Sequence, residues 1–107
     1  MSAERSDADL AGVFEFDGET SYFYLYRTAK NREQVLDAIH VFSGIPDFSE
    51  ADIAVRWNPA QDKVGLFIRD ELWAVFDTHT QLRMGGDYEH GDATRVPLDV
   101  VNEFCRN

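Results

Sequence analysis

Residues 20–26 read TSYFYLY, and this stretch constrains the fold more than any other. Tyr22, Tyr24 and Tyr26 alternate with Phe23 and Leu25. Successive side chains of a strand point to opposite faces, so the tyrosines share one face and Phe23 and Leu25 share the other. Just upstream, Phe14 and Phe16 alternate with Val13 and Glu15. Asp17-Gly18 lies between the runs, and glycine tolerates the positive φ that tight turns require. Residues 13–26 therefore read as a hairpin.

A second alternating block follows further on. Ile53, Val55 and Trp57 alternate with Ala54 and Arg56, then NPAQD supplies a turn with Pro59 at its second position. Val64, Leu66 and Ile68 form the next alternation, Asp70-Glu71 a short turn, and Leu72 to Thr78 the last strand. Residues 53–78 read as a three-stranded meander. Between the two blocks, Val35, Leu36, Ile39 and Phe42 follow the helical period. Asn31 with Gln34 makes a capping box, Thr28 is a rival cap, and Gly44 and Pro46 stop the run. A helix is expected over about 31–42. PLDVVNEFCR predicts a second helix over about 97–106, with Leu98, Val101, Phe104 and Cys105 on one face and Pro97 near its first turn. The expected fold class is α+β, a mostly antiparallel sheet of about five strands with both helices packed on one face. Residues 1–10 are expected to form a flexible acidic tail, and residues 11–107 a single domain.

Composition bounds the function classes. The chain has 107 residues, 44% of them hydrophobic and 13% aromatic, which is globular composition. A domain of this length buries roughly two-thirds of its unfolded surface, so a core forms without disulfides or a metal. The net charge is −10, from 20 acidic and 10 basic residues. Such a chain repels phosphate backbones and anionic membrane surfaces, so neither nucleic acid nor a membrane is an expected partner. A basic protein is permitted, because complementary charge speeds encounter. The single cysteine, Cys105, cannot form an internal disulfide and fits a reducing compartment. MSAERSDADL lacks an apolar run behind a basic start, and no stretch approaches the ~20 apolar residues of a membrane span. A cytoplasmic location is the resulting expectation.

GETSYFYLYR, the segment carrying LDAIHVF, and IAVRWNPAQDKVGLFIRDELWAVFD together resemble a family of small bacterial proteins, domain of unknown function 2251, over about residues 20–78. The resemblance implies a cytoplasmic bacterial protein of unassigned activity. It carries over no catalytic or binding residue.

Residues 85–92, GGDYEHGD, place three carboxylates and a histidine between glycines. An EF-hand calcium loop needs an oxygen ligand at its fifth position, glycine at its sixth and a bidentate Glu at its twelfth. Counted from Asp87, those positions hold Gly91, Asp92 and Leu98. Transition metals would want His90 joined by other histidines or cysteines, and the chain has only His40, His79 and His90, dispersed in sequence. A polar turn is the simpler reading, and no metal or cofactor is expected. Cys105 reads as an inert buried thiol. The neighbouring acids Asp70 with Glu71, and Glu50 with Asp52, read as solvated turn residues rather than a catalytic pair. No catalytic residue is expected.

The tyrosine stripe carries the sharper expectation. With Phe23 and Leu25 in the core, Tyr22, Tyr24 and Tyr26 lie on the less covered face, and tyrosine is enriched at interfaces because it joins a large apolar body to a polar tip. Trp57 and Trp73 are expected to share or edge that face. The plainer alternative packs each ring under a helix or loop. Arg56 and Arg69 read either as partner contacts or as cross-strand partners of nearby acids. The leading expectation is a non-enzymatic protein-binding module, in its concrete form an immunity-type inhibitor of a basic partner. One alternative is a small enzyme or metal- or ligand-binding domain using the 87–92 loop with His79 and His90. The other is a structural homo-oligomer.

Overall fold

The computed structural model describes residues 2–6, 9–29, 32–44, 48–85 and 96–104. Among them the chain forms strands β1 (Ser2–Glu4), β2 (Leu10–Phe16), β3 (Thr20–Ala29), β4 (Arg32–Ser43), β5 (Ile53–Trp57), β6 (Lys63–Ile68), β7 (Glu71–Asp77) and β8 (Leu82–Gly85), then helix α1 (Leu98–Phe104). The strands make two antiparallel four-stranded sheets, ordered β1-β2-β3-β4 and β5-β6-β7-β8. The fold is therefore mostly β, and the expected α+β arrangement, about five strands under two helices, is overturned. The hairpin at residues 13–26 and the meander at 53–78 fall within β2–β3 and β5–β7. Within the expected N-terminal tail, Ser2–Glu4 pairs with β2 as the first sheet's edge, and Leu10 already belongs to β2.

The largest correction is at residues 32–43, where β4 replaces the expected helix about 31–42. Two bulges explain the misleading pattern. Register shifts against β3 occur between Ser21 and Tyr22 and between Leu25 and Tyr26. Leu36 and Val41 have no opposing residue in that register. Each extra residue advances a two-residue alternation by one position, so apolar residues fall at 35, 36, 39, 41 and 42, which resembles a helical stripe. Ile39 and Val41 are buried, whereas Val35 and Leu36 remain 46% and 39% exposed.

The sheets pack face to face. Phe14, Phe23, Leu25, Ile39 and Val41 of the first meet Val55, Val64, Leu66, Ile68 and Phe76 of the second in one core. The rings of Phe23 and Phe76 stack across the interface at 5.0 Å. Gly12 marks the closest approach, because a Cβ there would lie 2.6 Å from Val64 Cγ2. At one edge the Trp57 indole donates to the Ala3 carbonyl at 2.9 Å, joining β5 to β1. At the other, Arg83 of β8 donates to Asp37 and to the Ala38 carbonyl, both at 3.0 Å, linking β8 to β4.

Helix α1 adds a third layer on the outward face of the second sheet. Val96, Val100 and Phe104 cover Phe67, Leu72 and Val75. Gly65 leaves room for this contact, since a Cβ there would lie 3.1 Å from Phe104 Cζ. The helix expected at 97–106 is present as Leu98–Phe104, but its buried stripe differs: Leu98 is 73% exposed and Val100 faces inward instead. The β6–β7 turn is centred on Arg69 and Asp70, with φ of 52° and 67°, rather than on Asp70-Glu71.

Candidate functional site

The outward face of the first sheet is built by register. Tyr22 lies between Glu15 and His40, Tyr24 between Val13 and Ala38, and Tyr26 between Ala11 and Val35. Residues directly opposite share a face, so this surface is tyrosine-rich with small or acidic neighbours. Asp17 sets the hairpin turn, its carboxylate accepting from the Glu19 and Thr20 N–H groups at 2.9 and 2.8 Å. That turn holds β2 and β3 in the register that brings Glu15 beside Tyr22.

The rings form a continuous row. Tyr22 and Tyr24 stack at 5.7 Å, Tyr24 meets Tyr26 edge-on at 5.8 Å, and His40 closes the row against Tyr22 at 5.4 Å. All three tyrosines are half-buried. Partial burial, the charge of Glu15 and the neighbouring phenols push the Tyr24 hydroxyl above its ordinary range, so it stays protonated and able to donate at neutral pH. Glu4 and Glu15 project from the same face, and among the described residues neither has an ion-pair partner. The described helix lies on the far side of the second sheet, so it does not cover these rings.

Trp57 and Trp73 are not brought to this face, because both pack half-buried against the core between the sheets. Arg5 lies over the Trp57 ring at 5.6 Å, Arg56 lies over the Phe67 ring at 4.2 Å, and Arg69 approaches Asp52 at 3.7 Å. His40, expected on a helix, is an exposed strand residue with Nε2 2.8 Å from the Ser43 hydroxyl. His79 is exposed in the turn after β7. His90, Asp87, Glu89, Asp92 and Cys105 lie outside the described residues. Among the described residues no three His, Cys, Asp or Glu side chains come together as metal ligands. Sequence reasoning missed Glu4, Glu15 and His40 as members of the tyrosine face. For Glu15 the signal existed, since the Asp17-Gly18 turn sets its pairing with Tyr22.

A second polar constellation joins α1 to the second sheet. Asn58, 1% exposed, donates to Asp62 at 2.7 Å and Glu103 at 3.2 Å, and accepts from the backbone N–H groups of Asp62 and Lys63. The Lys63 ammonium lies 3.1 Å from Glu103 and 3.7 Å from both Asp62 and Asp77. Burial pushes Asp77 up, but N–H bonds from Thr80 and His79 and the charge of Lys63 outweigh it, so its carboxyl lies below the ordinary range. Burial pulls Lys63 down, but its bond to Glu103 and the charges of Asp62 and Asp77 leave it above its ordinary value. Both groups stay charged at neutral pH, which keeps their ion pair intact. The cluster acts as a clamp.

Among the described residues no helix is long and apolar enough to cross a membrane. No curated protein and no solved structure matches the chain. The chain belongs to the family described as an uncharacterized protein conserved in bacteria, DUF2251, whose model matches residues 1–85, a span that includes the described strands β1–β8 and stops short of α1.

Proposed function

We propose that this protein is a non-enzymatic binding module of the bacterial cytoplasm that engages a basic protein through the outward face of its first sheet, as an immunity-type inhibitor would. The observation that carries the reading is the half-exposed row Tyr22-Tyr24-Tyr26 flanked by the carboxylates Glu4 and Glu15, which have no ion-pair partner among the described residues. Tyrosine gives large rigid contact area at low entropic cost, and carboxylates add attraction for cations. The net charge of −10 extends that attraction beyond contact range. A symmetric dimer through the same face fits less well, because an isologous contact sets each copy's Glu4 and Glu15 against a like-charged surface.

Recovery of the tagged protein from its own organism at moderate salt tests the proposal. A stoichiometric basic protein that accompanies the wild type and is lost from a folded Tyr24→Ala/Tyr26→Ala variant supports it. The same companion retained at equal yield by that variant refutes it.

A further inference from the structure

The tyrosine face contains a recess beside Tyr26, and its chemistry specifies more than basic character. We propose that the hollow between β1, β2 and β3 is a socket for an arginine side chain, a proposal that rests on the reading of this face as the binding surface. The hollow measures about 400 Å3 and is lined by Glu4, Ala11, Val13, Glu15 and Tyr26, with Thr28 beside them. Its shape follows from side-chain size. Ala11 is opposite Glu4 on one side and opposite Tyr26 on the other, so the smallest residue of the row lies between a carboxylate and an aromatic ring. Directly opposed Cβ atoms are about 5 Å apart, so the Glu4 and Tyr26 Cβ atoms stand roughly 10 Å apart, and the hollow opens above Ala11, which is itself buried beneath its neighbours. That gap suits one planar guanidinium, stacked on the ring on one side and hydrogen-bonded to the carboxylate on the other.

The rest of the hollow suits the remainder of the same side chain. Val13 follows Ala11 on this face of β2 and offers an apolar track for an aliphatic stem. Glu15 stands four residues from Ala11 along β2, about 13 Å away at the rise of a strand, and places a second carboxylate at the far end. Two carboxylates without ion-pair partners among the described residues exclude an anion and are ill-suited to a purely apolar side chain. Arginine is preferred to lysine because its flat, forked head can stack on Tyr26 and bond Glu4 through two N–H groups at once.

Hexa-arginine and hexa-lysine, titrated into isotopically labelled protein at physiological ionic strength, test the socket. Hexa-arginine is expected to shift the amide resonances of Glu4, Ala11 and Tyr26 in a saturable manner. Glu4→Gln, an isosteric change at an exposed position, should weaken its binding about tenfold while resonance dispersion stays native. Hexa-lysine should bind more weakly than hexa-arginine. Unchanged affinity in Glu4→Gln, equal binding of the two peptides, or shifts scattered over the acidic surface would each overturn the socket. Tyr24→Ala separates the two levels, since Tyr24 does not line the hollow. Loss of binding in Tyr24→Ala with none in Glu4→Gln removes the socket and leaves the face. Full binding in both variants removes both.

Discussion

The two outward faces of this sandwich receive opposite treatment. On the second sheet, Phe67, Leu72 and Val75 are buried beneath α1. On the first, Tyr22, Tyr24 and Tyr26 stay half-exposed beside Glu4 and Glu15. Residue chemistry explains the contrast. Phenylalanine, leucine and valine have no polar atoms, and an open patch of them favours aggregation, so the second sheet needs its cover. Tyrosine carries a hydroxyl that remains hydrated while the ring offers contact area, so the first sheet tolerates exposure. Gly65 is matched to the cover, since it admits Phe104, whereas Ala11, a small residue of the first sheet's outward face, lines a hollow. Among the described residues, one outward face lies under a helix and the other does not.

Four variants break or sharpen this contrast, from the largest effect down. Phe104→Ala removes the ring that lies against Phe67 at 5.6 Å and leaves a void over Gly65. It should cost about 3–4 kcal/mol in urea unfolding; a loss below about 1 kcal/mol would mean that α1 is not a working cover. Lys63→Met withdraws the ammonium held by Glu103, Asp62 and Asp77. The expected loss is about 1–2 kcal/mol, because Lys63 is largely buried while Asp62 and Glu103 are more exposed and better screened. No change in the unfolding midpoint would show that the clamp does not secure the helix.

The pH dependence comes next. Asp77 lies below its ordinary value in the folded chain, so the unfolded state binds its proton more readily. Its contribution is fully present above the unfolded carboxyl range and is lost as pH falls through the depressed folded value. Stability should therefore drop as pH falls below about 5, through the unfolded carboxyl range, and Asp77→Asn should flatten that drop. Parallel acid profiles for the two proteins would place the acid sensitivity elsewhere. The smallest effect is expected at Tyr24→Ala, about 1 kcal/mol, because the ring is half-exposed. A loss equal to that of Phe104→Ala would erase the distinction between the faces and place Tyr24 in the core.

The legibility of these features in sequence divides along physical lines. The β2–β3 and β5–β6 hairpins were readable because their paired strands run without a register shift and their turns carry Asp17-Gly18 and Pro59, and β7 was readable despite the shift that leaves Trp73 unopposed. β4 was misread because the bulges at Leu36 and Val41 disturb the period of two, and a bulge is decided by pairing with β3 rather than by β4 itself. Ser2–Glu4 carries no hydrophobic alternation, and its strand character comes from pairing with β2 and from the Trp57 bond to Ala3. The tyrosine stripe was legible as a face. The positions of Trp57 and Trp73 against the core were not, because either side of their strands can be the buried one until the sheets are stacked.

What the sequence determined by itself is local: which residues alternate, where the chain turns, that three tyrosines share one side of a strand, and that the whole is strongly acidic. These follow from backbone geometry and formal charge, which need no distant partner. Tertiary structure alone decided that eight described strands divide into two sheets, that α1 covers one outward face and not the other, and that Glu4 meets Ala11 and Tyr26 in one row. Those outcomes depend on contacts between residues far apart in the chain, where register and layer order are chosen by the packing of whole faces.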